Sequence, residues 1–473
     1  MISMNTPIYS FVNEYIASGT SRLHMPGHKG QSLLGCEERD LTEITGADDL
    51  FHADGIIAES ERNAARLFGT HRTFYSTEGS SHVIRAMLML ASSCCPYRRV
   101  SGRFTVLAAR NVHKAFISAC ALLDLDVEWL YPEGPGTDAP DDSTRLPASV
   151  CSCPVTPERL RRTLLSYSEN GRLPEAVYIT SPDYLGGVAD IRGLAGVCDE
   201  FDLPLVVDNA HGAYLHFLET PVHPMDLGAA MCCDSAHKTL PALTGGAYLH
   251  ISDRLGKYSE TLSSHAREAL SVFGTSSPSY LVLQSLDLCN RYLAEGYKKR
   301  LDETIQSVNR LKQDLKSVHI PFLDTEPLKL VLDCAPLGLS GDKTAAEFRE
   351  HRVECEYHDA EYLVLMFTPE NRETDFERIL AACKELADPA RIPAAGSISL
   401  KIPVLEKARS IREALLSPSR VISSSEAAGK ICAVPTVSCP PAVPIAVSGE
   451  RFNDEAVRLL EYYGIGEVSV TAD

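Results

Sequence analysis

Apolar and polar positions along the 473-residue chain switch repeatedly between helical spacing and short continuous apolar runs. Residues 56–68 read as an amphipathic helix that stops at Gly69, and residues 82–93 as a second apolar helix entered through Gly79-Ser80-Ser81. Short apolar runs at 104–108, 127–131, 176–180, 204–208 and 245–251 predict strands. Between them, 114–124, 157–168 and 192–201 have helical spacing, and Thr156-Pro157 supplies an N-cap followed by a first-turn proline. Strands alternating with helices predict an α/β domain around a mainly parallel sheet.

The pattern changes further along. Residues 133–156 are a polar, proline-rich loop, 281–318 a long helical region, and 319–388 read as strand, helix, strand, helix, a small α+β domain. A Pro/Ala linker at 389–397 opens the last segment. The expected organisation is an N-terminal arm (1–55), a large domain (56–300), a small α+β domain (301–388) and a C-terminal α+β domain (389–473).

Composition narrows the function classes. The chain is 44% hydrophobic and 23% charged, ordinary for a globular protein, with a formal net charge of −18. That balance argues against a nucleic-acid partner, which needs surplus Lys and Arg. It suits a cationic substrate, although solubility alone accounts for many acidic surfaces. The 15 cysteines form no CxxC pair, so no structural metal site is expected, and their scatter fits reduced thiols in the cytoplasm. The first residues do not read as a signal peptide, and no apolar run is long enough to suggest a membrane span.

Candidate chemistry begins at Asp208, the end of the run Leu-Val-Val-Asp. Ligands in open α/β sheets sit at the carboxyl ends of strands, and a carboxylate there is either a functional group or a cap on the next turn. Thirty positions on comes Ser235-Ala236-His237-Lys238-Thr239, in which Lys238 alone reads first as an exposed turn residue. Together they fit pyridoxal-5′-phosphate (PLP), which needs a lysine to hold its aldehyde as a Schiff base and an acid to keep its ring nitrogen protonated. Gly79, Ser80 and Ser81, opening a helix, are candidate phosphate donors, as are Ser235 and His237. Gly-Ser-Ser is also an ordinary N-cap. His113, after a strand, could stack on the ring or be a polar loop residue.

Ordered motifs extend this reading. Thr-Pro-Ile-Tyr at 6–9, His-Met-Pro-Gly-His-Lys-Gly at 24–30 and Arg-Asn-Val-His-Lys-Ala-Phe at 110–116 are followed by further matches at 180–191, 206–214, 235–250 and 274–287. With them the chain resembles the fold-type I ornithine/lysine/arginine decarboxylase family, in its short form without an N-terminal wing domain. The resemblance implies an aspartate-aminotransferase-like fold, PLP as cofactor and a basic amino acid as substrate, decarboxylated to a polyamine-pathway amine. It implies that Lys238 anchors the cofactor and that Asp208 pairs with the ring nitrogen. Ala210 and His211 would lie on the ring face opposite His113. Gly79, Ser80, Ser81, Ser235 and His237 would bind phosphate, and Lys238 or His237 would return the proton to Cα. Thr275 and Ser276 would reach the neighbouring subunit's phosphate, implying a homodimer or an assembly of dimers.

Several positions depart from the family pattern. The usual Asp-Glu-Ala-His-Gly reads Asp208-Asn209-Ala210-His211-Gly212, Glu78 precedes the phosphate loop, Leu185 replaces a tyrosine, and Cys439 stands in the C-terminal proline motif. Asp48, Asp49, Glu354 and Glu356 are candidates for the substrate's distal cation, and each reads first as a surface or structural carboxylate. Another fold-type I enzyme (an aminotransferase or lyase) and a non-catalytic regulatory homologue are the competing readings.

Overall fold

The computed structural model describes residues 4–94, 102–132, 152–387, 401–437 and 443–472. Most of the proline-rich loop, the 389–397 linker and Cys439 lie outside the described residues. Seven strands make one mainly parallel sheet: β1 (Arg72–Ser76), β2 (Thr105–Ala109), β3 (Asp126–Leu130), β4 (Ala176–Thr180), β5 (Leu205–Asp208), β6 (Met231–Asp234) and β7 (Ala247–Ile251). Their order is β1-β7-β6-β5-β4-β2-β3. The pairs β5/β6 and β2/β3 are parallel, whereas β7 runs antiparallel to both β6 and β1. Strands β5, β6 and β7 are buried at every position, the signature of strands covered on both faces.

By contact density the chain falls into two compact units: residues 1–102, 175–179 and 191–299, and residues 103–174, 180–190 and 300–473. In the first, the helix Ile56–Phe68 buries Ile57, Ala64, Ala65 and Phe68 and ends at Gly69, whose left-handed φ of +60° lets the chain turn. The helix Gly79–Cys94 buries most of its length. The helical region expected over 281–318 is two helices, Tyr280–Ala294 and Tyr297–Ser317, broken where Gly296 takes a φ of +81°.

In the second unit, Thr156 caps the helix Pro157–Glu169 by accepting from the Arg159 N–H. The stretch 319–388 has the expected strands and helices with one further short strand, β9: β8 (Lys329–Asp333), β9 (Tyr357–His358) and β10 (Tyr362–Met366) form an antiparallel sheet of order β8-β10-β9, with helices Gly341–Glu350 and Glu373–Leu386. Val331 and Val364 from this sheet share a buried cluster with Ile445, Phe452, Leu460, Val468 and Val470. Leu185, one of the departures from the family pattern, is part of that cluster.

A buried ion pair ties the end of β2 to the C-terminal segment of the same unit. Arg110 grips Glu450 with two parallel hydrogen bonds, 2.6 Å from Nη1 to Oε1 and 2.7 Å from Nη2 to Oε2. The guanidinium stands 4.6 Å from the Trp129 ring centre, and the Val447 N–H donates to Glu450 Oε2. Neither charge reaches water. Removing the acid leaves an uncompensated cation in a dry interior, so Glu450→Ala should cost about 3–5 kcal/mol, read as a fall in the urea midpoint. A loss under about 1 kcal/mol, the range of exposed pairs, would contradict the ion pair's burial.

Candidate active site

The site grows from two neighbouring strand ends in the first unit. Strands β5 and β6 are parallel, with Asp208 in register with Cys233, so both chains deliver their next residues at the same edge of the sheet. Asp208 is only 2% exposed. Its Oδ1 accepts from the Ala210 N–H (3.2 Å) and the Cys233 thiol (3.4 Å), and its Oδ2 from the Tyr178 hydroxyl (3.3 Å). Burial pushes the Cys233 thiol well above its ordinary range, so the sulfur keeps its proton and donates it. Tyr178 and Cys233 were not singled out by the sequence: each sits inside an apolar strand, and only strand pairing brings it to Asp208.

After β6 the chain turns through Ser235 into the single helical turn Ala236–Thr239. The Lys238 N–H donates to the Ser235 carbonyl, and Lys238 Nζ lies 3.0 Å from His211 Nε2. A half-buried amine thus stands beside an imidazole from the loop after β5, just past the buried acid. His237 Nδ1 is 3.0 Å from the Gly246 carbonyl, an acceptor only, so that nitrogen carries a proton. His237 can then donate from Nε2 only as an imidazolium.

The Gly79 turn faces this one. Gly79 adopts a φ of +75°, and its N–H donates to the Gly245 carbonyl at 2.7 Å. Its role is therefore to shape the turn, while the N–H groups of Ser80 and Ser81 lie in the first turn of a long helix, where no intrahelical acceptor exists. The Ser235 hydroxyl donates to Ser80 Oγ at 2.7 Å, bringing the hydroxyls of the two turns together. Glu78 does not face this cradle unpaired: its Oε1 accepts from the Thr275 N–H at 2.6 Å, which pins the 274–277 segment. Thr275 Oγ1 in turn accepts from the Ser277 N–H.

This set fits PLP: an amine, a buried carboxylate on the next strand, and hydroxyls with a helix N-terminus for a phosphate. His113 belongs to the second unit, where it is exposed and its Nδ1 accepts from the Ala115 N–H at the start of the helix Lys114–Leu123. Of the carboxylates considered for a substrate cation, Asp48 accepts from the N–H groups of Gly55 and Ile57 and serves the entry to a helix, and Asp49 accepts from Phe51. Glu354 is engaged by Arg349, while Glu356 accepts from the Tyr184 hydroxyl at 3.0 Å.

The fold and these residues define a PLP-dependent enzyme of fold type I. The chain belongs to the Orn/Lys/Arg decarboxylase family: the model of the family's major domain matches residues 6–389, and that of its C-terminal domain residues 397–469. It is a PLP-dependent decarboxylase of a basic amino acid. The arginine decarboxylase of Bacillus cereus is 28% identical over 97% of this chain and all of the relative, and that of Bacillus subtilis 27% identical over 97% and 93%. Among solved structures, the constitutive lysine decarboxylase of Escherichia coli superposes with a TM-score of 0.74 at 18% identity, covering 99% of this chain and 82% of the other. No helix among the described residues is long and apolar enough to cross a membrane.

Proposed function

We propose that the substrate is arginine, converted to agmatine and CO₂, with Lys238 and Asp208 as the residues that hold the cofactor. The observation that carries the site reading is the Lys238 amine, 3.0 Å from His211, one strand along from the buried Asp208. Arginine is favoured because four relatives whose sequences align over 94–97% of the chain are named arginine decarboxylases, whereas the sequence of the E. coli constitutive lysine decarboxylase aligns over 58% of it.

The bound cofactor supplies an electron sink for the pair left at Cα when the carboxylate departs. The chain's residues do the rest. Lys238 Nζ is the covalent anchor and, once released by the substrate amine, the group that returns a proton to Cα. His211 Nε2 holds that amine in place. Asp208 keeps the proton on the ring nitrogen, and its three donors keep the carboxylate oriented. Ser80, Ser81 and Ser235 hold the phosphate in the turn shaped by Gly79, with His237 beside it. By resemblance, Thr275 and Ser276 extend this binding across a homodimer. A cytoplasmic setting is supported by the free, buried thiols of Cys120, Cys232 and Cys289, and a polyamine-forming role rests on agmatine as the proposed product.

The test incubates PLP-loaded protein separately with arginine, lysine and ornithine and measures CO₂ together with agmatine, cadaverine and putrescine. The expected result is agmatine, with kcat/KM at least about tenfold above the other two, a difference worth about 1.4 kcal/mol. A preference for lysine or ornithine refutes the arginine assignment, and a keto acid without CO₂ would favour an aminotransferase.

A further inference from the structure

Beside the site lies a polar cluster that sees no water: His223, Asp234 and His250 are each fully buried. His223 Nε2 lies 3.0 Å and His250 Nε2 3.1 Å from the same oxygen, Asp234 Oδ2. Two imidazoles and a carboxylate converging in this way could hold a metal ion, but the far side of His223 speaks against it. Its Nδ1 accepts from the Met225 N–H, so the ring's proton sits on Nε2 and points at Asp234. A metal-bound imidazole instead donates from its outer nitrogen. The Nδ1 of His250 meets the Thr73 hydroxyl at 2.8 Å, and burial pushes that histidine towards its neutral form. Both rings therefore serve as hydrogen-bond donors. Burial alone would raise the Asp234 carboxyl, and the two histidines outweigh it, holding the group ionised.

The third donor to Asp234 connects the cluster to the chemistry. Asn209 Nδ2 donates to Asp234 Oδ1 at 2.6 Å. Asn209 directly follows Asp208, and Asp234 directly precedes the Ser235–Lys238 turn. The Asn209 N–H also donates to the Cys233 carbonyl, so backbone and side chain both cross between the two strand ends. Asn209 is itself fully buried, and Gly212 makes its seat: a Cβ on Gly212 would lie 2.1 Å from Asn209 Oδ1.

We infer that Asp234, clamped by His223 and His250 and joined to Asn209, is the positioning residue that fixes the Asp208 strand end against the Lys238 turn. The inference rests on the reading of Asp208 and Lys238 as the cofactor-holding pair. It also accounts for Asn209 where the family pattern has glutamate. A second carboxylate against Asp234 would set two like charges in a dry interior, so this chain carries the acid at 234 and the amide at 209.

The test is a swap of acid and amide in the full-length protein. Asn209→Asp faces one carboxylate with another, and Asp234→Asn removes the anion that the two histidines serve. The double variant N209D/D234N restores one carboxylate and one amide. In it the amide carbonyl at position 234 accepts from the histidines, and the amide NH₂ there donates to the carboxylate now at position 209. Measured are the PLP dissociation constant, the visible circular dichroism of the bound cofactor, which reports ring orientation, and the thermal midpoint of the apoprotein. Each single variant is expected to bind PLP at least about tenfold more weakly with altered dichroism, and the double to return within about threefold of the parent. The double decides the matter even if a single variant is insoluble. A double that binds PLP no better than the single variants, or not at all, overturns the inference. So do singles that lower the apoprotein midpoint yet leave affinity and dichroism unchanged, since the cluster would then only stabilise the fold. An unsubstituted chain that takes up no PLP overturns both this inference and the reading beneath it.

Discussion

Lys238→Ala should leave a folded protein that takes up PLP without a covalent bond and turns over about 10⁴-fold more slowly, the upper range for losing a positioned proton-transfer group. The fold should tolerate the change because Lys238 is only half-buried and its neighbour His211 lies in the turn after β5 rather than in a helix or strand. The proposed phosphate contacts should be unaffected, since they would come from the Gly79 and Ser235 turns, whose hydroxyls meet at Ser235 and Ser80. Borohydride treatment followed by mass spectrometry separates the cases: the parent protein should carry PLP fixed on Lys238, and the variant none. Lys238→Arg is the companion, because it keeps a cation beside His211 while losing the nucleophilic amine. Covalently trapped cofactor in either variant, or turnover within about tenfold of the parent, would show that another group does this work.

The second large effect is expected at Asp208. Asp208→Asn should reduce decarboxylation well beyond tenfold, to about 10²–10⁴-fold, while PLP still binds. An amide is no base, so it cannot hold a proton on the ring nitrogen, and the ring loses much of its pull on the electron pair at Cα. The surroundings aggravate the change. Tyr178, Cys233 and the Ala210 N–H all donate to this position, and an NH₂ group on either side meets a donor instead of an acceptor. Steady-state kcat with cofactor content measured on the same sample is the check. Near-normal turnover at full PLP occupancy would refute the pairing of Asp208 with the ring nitrogen.

Much of this architecture was legible in local pattern. The helix ending at Gly69 and the helix opened by Thr156-Pro157 follow from side-chain periodicity and from residues that start or stop a helix by their own chemistry. The strands ending at Ala109, Thr180 and Asp208 follow from continuous apolar runs. Two strands of the seven-stranded sheet escaped. β1 carries Arg, Thr and Ser among its five residues, and β6 is four residues of Met-Cys-Cys-Asp, too short and too mixed to show a period. The long helical region failed at one place, because Gly296 breaks a run whose flanking residues suit a helix on either side.

The same division runs through the site. Lys238, Asp208 and the Gly79-Ser80-Ser81 turn were readable because PLP chemistry demands those residue types and each stands in a short motif of its own. Unaided, the order of residues determined the α/β class, the family and the cofactor, and it named the pair proposed to hold that cofactor. Only the folded chain decided what surrounds Asp208 and why residue 209 is an amide. Asn209, His223, Asp234 and His250 are scattered along the chain, and no local rule links them. They meet because β5, β6 and β7 lie side by side, with His250 in register with Cys232, diagonal to Asp234 on the same face. Periodicity and motif report what a residue does with its near neighbours in the chain, whereas a buried carboxylate is satisfied by whichever donors strand pairing carries to it.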